Sequence, residues 1–465
     1  MKSSFNRRDF LKSGSLLGSA LLVPSFALGE EKPLANQAPS DRLRCACIGV
    51  GPMGSGDANE FNGLTDVVAV CDIDSKYRLE RLLKNKNFGK KENGKETVDT
   101  YSDYRRVLDR KDIDLVSIST PDHWHVKIAI EAMQAGKHVF CQKPLTLTIA
   151  ENLLVRKAVE KYGKIFQVGT QQRSMKDKFM AAALLVRNGY LGDIKRVVCT
   201  IDTGRQSGII PLSPAPETLD WNMWCGQAPV KPHRWTNDTQ FFSASNAGQS
   251  RGHLNFRWWF EYSGGRITDW GAHHIDCALW AINKQTIGSG PTSVESSNVK
   301  FVVPYKDGYP TRDDMYNTPY EYDIRCHFPD GIQMDIVCKS EDGNGILFEG
   351  TKGKIHVNRG RLAGRIIKEG ALDTLKEEQY IAINNGKPIE GHKQNLLRCI
   401  REGGTPVSDV ASNIQSMHIC HLANISCRLG RTIHWDSTAE TILNDPQAAA
   451  FISREQRKGF ELPSV

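Results

Sequence analysis

The sequence predicts an α/β protein with two parts. The first is a Rossmann-type, doubly wound parallel sheet; the second is an α+β domain built on a large, open, mainly antiparallel sheet. Three observations predict this. Short apolar runs alternate with helix-length segments between residues 42 and 170, as strands joined by crossover helices do. A G-x-G-x-x-G run, Gly49-Val50-Gly51-Pro52-Met53-Gly54, stands at the end of the first apolar run. Beyond residue 193, strand candidates separated by turn signals become the main pattern. The expected domains are 42–170 for dinucleotide binding and 171–465 for substrate binding and oligomer contacts. They are preceded by a targeting segment, 1–29, and a linker, 30–41.

Residues 1–29 read as an export signal: a basic start, an apolar stretch over 16–28, and small residues at Ser25, Ala27 and Gly29. Asn6-Arg7-Arg8-Asp9-Phe10-Leu11-Lys12 closely resembles the twin-arginine motif, which predicts a folded protein delivered to the periplasm. The apolar stretch is short for a bilayer span, and no cysteine marks a lipid attachment site, so no stable membrane anchor is expected. Of the net charge of +7, three units belong to this segment, where four basic residues face only Asp9. The remaining +4 is too dispersed for a nucleic-acid partner. The 12 cysteines form no CxxC pair, so neither a zinc framework nor a disulfide scaffold is indicated.

The first strand, 44–50, delivers the glycine run to the start of a helix, where backbone N–H groups and the helix dipole favour a pyrophosphate. Pro52 removes one N–H from that loop but suits the first position of a helix. A second strand, Asp66–Cys71, ends at Asp72, 18 residues after Gly54. An acid there accepts hydrogen bonds from a ribose and repels a 2′-phosphate, which favours NAD over NADP. Strands follow at 115–119, 138–141 and 165–169, with helices at 125–135 and 148–162. Thr120-Pro121-Asp122 and Gln142-Lys143-Pro144 follow two of these strands, on the edge where such sheets bind ligands. That places Thr120, Pro121, Gln142 and Lys143 beside the cofactor, together with Gly49, Gly51, Pro52, Met53, Gly54 and Asp72.

In the second half, Asp269 to His273 is an i,i+4 step and His273 to Asp276 an i,i+3 step. On one helix all three share a face, and a histidine between carboxylates is arranged as a general base. The same residues also suit a polar helix cap with backbone-satisfied histidines. A zinc site is rejected, because the adjacent His273 and His274 project about 100° apart on a helix. Trp221, Trp224, Trp235, Trp258, Trp259 and Trp270 crowd one region, as sugar-stacking faces or as core. His418 and His421 read as helix-face or core residues. Strands are expected at 193–202, 293–303, 322–328, 332–339, 345–349 and 354–357, with a hairpin turn at Phe328-Pro329-Asp330-Gly331-Ile332. Two helices, 392–402 and 410–429, precede a tail whose docking the sequence leaves open.

These segments resemble the glucose–fructose oxidoreductase and inositol dehydrogenase (Gfo/Idh/MocA) family. The resemblance covers nearly the whole chain after the signal. It rests on Cys47-Ile48-Gly49-Val50-Gly51, Cys71-Asp72-Ile73-Asp74, Thr120-Pro121-Asp122-His123-Trp124-His125, Ala135-Gly136-Lys137-His138-Val139, Lys143-Pro144 and the D-x-G-x-H-x-x-D run Asp269–Asp276. It implies that Lys143, Asp269 and His273 are catalytic and that His123 and His125 join the cofactor side. It also implies that Arg173, in a segment resembling the family's crevice wall, meets the substrate with Trp270 and Asp276. Gln142 departs from the family's Glu-Lys-Pro signature. The implied activity is NAD-dependent hydride transfer to or from a sugar, polyol or glycoside. The cofactor would be loaded before export and recycled in place, and the chain would form a dimer or tetramer. Two alternatives stand beside it: an NAD-dependent glycoside hydrolase working by oxidation and elimination, and a non-catalytic sugar- or NAD-binding protein.

Overall fold

The computed structural model describes residues 42–85, 88, 98–236, 248–364 and 372–465. The signal and linker expected over 1–41 lie outside the described residues. Six parallel strands form the first sheet in the order β3-β2-β1-β4-β5-β6. They are β1 Arg44–Ile48, β2 Asp66–Cys71, β3 Asp99–Tyr101, β4 Leu115–Ile118, β5 His138–Cys141 and β6 Phe166–Val168. β1, β2, β4 and β5 are buried almost throughout, as expected of strands covered by helices on both faces. β3 is exposed and polar, which is why its sequence carried no strand signal. Strand order reverses between β1 and β4, so the crevice opens above Ile48 and Ile118, the usual ligand position in such sheets.

The helices around this sheet start and stop where their sequences dictate. Helix Pro52–Leu64 has Pro52 at its first turn, where no intrahelical donor is needed. Helix Ile149–Tyr162 is capped by Thr148, whose hydroxyl accepts from Glu151 N at 3.2 Å, while Gly163 ends it at φ 60°.

The second sheet has nine strands in the order β15-β14-β13-β7-β12-β11-β8-β16-β17. Its members are β7 Ile194–Thr200, β8 Ser293–Lys300, β11 Glu321–His327, β12 Gln333–Val337, β13 Gly345–Gly350, β14 Gly353–Val357, β15 Leu362–Gly364, β16 Ile433–Asp436 and β17 Thr441–Ile442, while β9 Tyr305–Lys306 and β10 Tyr309–Pro310 form a separate ribbon. Only β7 and β12 pair in parallel; the sheet is otherwise antiparallel. Helices Ala181–Arg187, Gly271–Ala281 and Val410–Leu429 cover one face and share its apolar core.

The chain then returns to the first domain. Leu396 and Leu397 of helix His392–Glu402 pack with Phe61 and Phe140, and Val410 and Ile414 join the other side of the Rossmann core. The tail docks there too: Phe460 meets Trp124 edge-on at 6.0 Å, and Lys127 donates to Glu461 O at 2.8 Å. All 12 cysteines are free thiols, and only Cys338 is less than fully buried. No helix of the described residues is long and apolar enough to cross a membrane.

Candidate active site

The glycine loop is shaped by contact. Gly49 has φ +79°, and a Cβ there would lie 2.7 Å from Ser119 C and Thr120 N. A Cβ on Gly54 would lie 1.9 Å from Gly49 O, so Gly54 serves helix–strand packing rather than lining the cavity. Gly51, Pro52 and Met53 line a cavity of about 430 Å³ that runs past Asp72, Thr120 and Pro121 to Gln142 and Lys143. Asp72 accepts from Val50 N at 2.8 Å and from Asp74 N at 3.0 Å. Burial raises its carboxyl to about 6 despite those bonds. These residues fit a dinucleotide. The space over Gly51 is open, its nearest non-neighbouring atom being Arg78 Nε at 3.9 Å from a Cβ position. Thr120 Oγ1 and Gln142 Oε1 are buried without a partner.

His123 and His125, expected on the cofactor side, lie behind the cavity wall. The His125 ring lies between Pro144 O (2.7 Å) and Thr120 O (2.9 Å) and so joins two strand-end loops. Burial pulls its pKa to about 4; the neutral ring donates to one carbonyl and abuts the other. His123 Nε2 lies 2.8 Å from Trp224 O, and burial pulls this ring to about 3. Both residues support the loops that carry Thr120 and Lys143.

Lys143 follows β5 and reaches into the second domain. Its Nζ donates to Asp269 Oδ1 at 2.6 Å and to Asp269 O at 3.0 Å. Burial would push Asp269 upward, but Lys143, Arg257 and Arg266 outweigh it and hold the carboxyl well below its ordinary value. The expected single helix is broken at Trp270 into Gly265–Asp269 and Gly271–Ala281. Neither carboxylate orients His273: Asp269 pairs with Lys143, and Asp276 with Arg173 at 2.5 and 2.7 Å. Arg173 and Asp276 are both buried, and Arg173 also donates to Val407 O and Ser412 Oγ. They form an ion pair in the core, so each of these two expected substrate residues has its charge met by the other.

His273 is buried and its Nδ1 has no partner. Burial, then the Lys143 and Arg359 charges, hold its pKa well below the ordinary histidine value. His274 Nδ1 faces Thr200 O at 3.1 Å, a structural role. Trp270 lies under the Arg359 guanidinium, 4.9 Å from its carbon, and does not line the cavity. Trp224, Trp258 and Trp259 are core, with Tyr262 and Tyr316.

Several residues at the site escaped the sequence reading. Gln142 Nε2 donates to Asp57 Oδ2 at 2.8 Å, and Asp57 also accepts from Ser119 Oγ and from Lys393 Nζ. A negative charge therefore sits beside position 142 on another element. Arg257 and Arg266 flank Asp269, and the only sequence signal for them was their closeness to the Asp269 run. Asp122, raised to about 7 by burial, accepts from Ser263 Oγ at 2.6 Å.

The site thus joins a parallel sheet of the dinucleotide-binding kind, which supplies Lys143, to a second, open-sheet domain, which supplies Asp269. The chain belongs to the Gfo/Idh/MocA oxidoreductase family: its profile for the NAD-binding Rossmann fold matches residues 43–170, and that for the C-terminal alpha/beta domain matches 201–462. Among curated relatives, a glycosyl hydrolase family 109 protein of Shewanella pealeana is 31% identical over 203 residues, 41% of this chain and 44% of that protein. The alpha-N-acetylgalactosaminidase of Shewanella oneidensis is 29% identical over 211 residues, with the same shares. The chain thus spans less than half the length of the curated relatives it matches. Among solved structures, levoglucosan dehydrogenase with NADH and levoglucosan aligns with a TM-score of 0.56 at 19% identity, covering 84% of this chain and 99% of that one. The aldose-aldose oxidoreductase of Caulobacter crescentus gives 0.54 at 18%, covering 84% and 99%. At these identities the likeness is one of fold.

Proposed function

We propose that this protein oxidises, reversibly, a carbinol of a sugar, polyol or glycoside with an NAD that it retains, and that the NADH formed returns to NAD+ by passing its hydride to the carbonyl of a second substrate in the same site. The observation that carries the reading is the Lys143–Asp269 pair beside the cavity, with His273 next to it. An ammonium has three donors; Asp269 takes two, through Oδ1 and its main-chain oxygen, leaving one for a substrate hydroxyl oxygen. His273 is neutral at physiological pH and accepts the hydroxyl proton at Nδ1, its buried, unpartnered atom. NAD, when bound, supplies the hydride acceptor. Asp72 supports NAD over NADP, since its carboxylate repels a 2′-phosphate.

Retention is supported by a strap from the second domain. Leu219 bridges Asp74, Ser75 N donates to Thr218 O, and Asp220 N donates to Ile73 O. His253 Nε2 lies 2.8 Å from Asp74 Oδ2. Leu219, Met223, Leu254 and Phe256 thereby line the cavity opposite the glycine loop. Such a chain suits the proposed export to the periplasm through the twin-arginine motif, folded and loaded. Assembly into a dimer or tetramer through the uncovered face of the nine-stranded sheet belongs to the same reading.

A second reading is favoured by the glycosyl hydrolase family 109 relatives: oxidation, elimination of the glycosidic oxygen, addition of water and re-reduction, giving net hydrolysis. Incubating the purified protein with free sugars and aryl glycosides in deuterated water separates the two. Oxidised sugar without hydrolysis and without exchange at the neighbouring carbon is expected of the leading reading. Released phenol with deuterium at that carbon would replace it by the second.

A further inference from the structure

We infer that the substrate carries an oxyanion, in the first instance the carboxylate of a hexuronic acid, and that Arg359 recognises it. The inference rests on the sugar oxidoreductase reading above and names the substrate class of that site.

Lys143, Arg257 and Arg266 converge on one carboxylate, Asp269. Its Oδ1 takes Lys143 at 2.6 Å and Arg257 at 3.4 Å, and its Oδ2 faces Arg266 at 3.7 Å. Asp122, the other nearby acid, is held largely protonated by burial below about pH 7. Arg359 adds a fourth cation beside His273, and no carboxylate of the described residues lies within ion-pair distance of it. Four cations thus stand around Asp269 and His273 against the one carboxylate of Asp269 and a partly ionised Asp122, and a neutral sugar leaves that excess in place.

Arg359 is also held in place. It sits in the turn after β14, where Asn358 Oδ1 accepts from Gly360 N and Arg361 N at 2.8 Å each. Its guanidinium lies 4.9 Å from the centre of the Trp270 ring, and that ring meets the His273 ring edge-on at 6.1 Å. With the Gln172 amide oriented to satisfy both neighbours, its oxygen accepts from Arg359 Nε at 3.2 Å and its nitrogen donates to His273 O at 3.3 Å. Arg359 is thus fixed through Trp270 and Gln172 to the residue proposed to accept the proton. Its terminal nitrogens have no partner among the described residues. A guanidinium stacked on an aromatic face with its fork free is pre-organised for a planar oxyanion.

Binding of D-glucuronate, D-galacturonate and D-mannuronate, each beside its neutral aldose, is measured calorimetrically on the NAD-loaded protein, with glucose 6-sulfate as a further arm. At least one uronate should bind about tenfold more tightly than its neutral parent, the factor supplied by one charge-assisted hydrogen bond. Arg359→Gln should remove that difference while the content of bound NAD stays that of the parent. Tighter binding of the sulfate ester than of every uronate keeps the oxyanion site and assigns it to sulfated sugars. If neutral sugars bind and react while no anionic sugar is preferred, the inference is overturned and the oxidoreductase reading stands. A preference that survives in Arg359→Gln overturns the assignment to Arg359. A protein that binds no NAD overturns both.

Discussion

At the residue scale, the replacement of the family's glutamate by Gln142 has a physical explanation in Asp57. The two side chains are hydrogen-bonded at 2.8 Å, with Lys393 on the far oxygen of Asp57. A glutamate at position 142 would put two carboxylates in that contact, and like charges so close cannot both ionise freely. In Gln142→Glu one carboxyl pKa should rise in the folded state above its unfolded value. The added destabilisation is then absent in acid and appears as pH climbs through the raised pKa. Urea unfolding should show the variant losing about 1–3 kcal/mol relative to the parent between pH 5 and 8; equal losses at both pH values would contradict this. Asp72 titrates at about 6, above the ordinary 3.8. Ribose hydroxyls need its ionised form, so NAD affinity should fall as pH drops below 6, and Asp72→Asn should flatten that profile. For the empty protein the sign is opposite: the raised carboxyl favours the fold below about 4 and weakens it as pH rises to 6.

At the element scale, β1, β2, β4 and β5 were legible because buried parallel strands are continuous apolar runs, and the glycine loop because sterics leave no alternative at Gly49 and Gly54. β3, β16 and β17 were not: they are short, and their pairing is fixed by neighbours far along the chain. The catalytic run illustrates the limit of periodicity. Spacing put Asp269, His273 and Asp276 on one face, but the break at Trp270 sends Asp269 to Lys143, and Arg173, 103 residues away, claims Asp276. The strap over residues 217–225 was likewise hidden, since its bonds to Ile73, Asp74 and Ser75 join segments more than 140 residues apart in the chain. His253→Ala should release bound NAD about tenfold faster by removing one buried hydrogen bond, read by the rate at which excess labelled NAD exchanges in. An unchanged exchange rate would mean that the strap does not hold the cofactor.

At the scale of the whole molecule, the two domains are laced together by more than their sequence boundary implies. Helix His392–Glu402, the start of Val410–Leu429 and the tail at Phe460 all pack on the Rossmann core. The cofactor cavity is walled by both domains at once, the second supplying Leu219, Met223, His253, Leu254 and Phe256. All twelve cysteines are free thiols, and eleven of them are buried. The central claim is that Lys143 serves hydride transfer to an NAD the protein already holds. Its most direct test is a single-turnover absorbance trace of the NAD-loaded protein mixed with the sugar panel and no added cofactor. The NADH band should appear with at least one sugar in the wild type and fail to appear in Lys143→Ala, although the variant carries the same NAD content. No band in the wild type, or an equal band in the variant, would contradict the account.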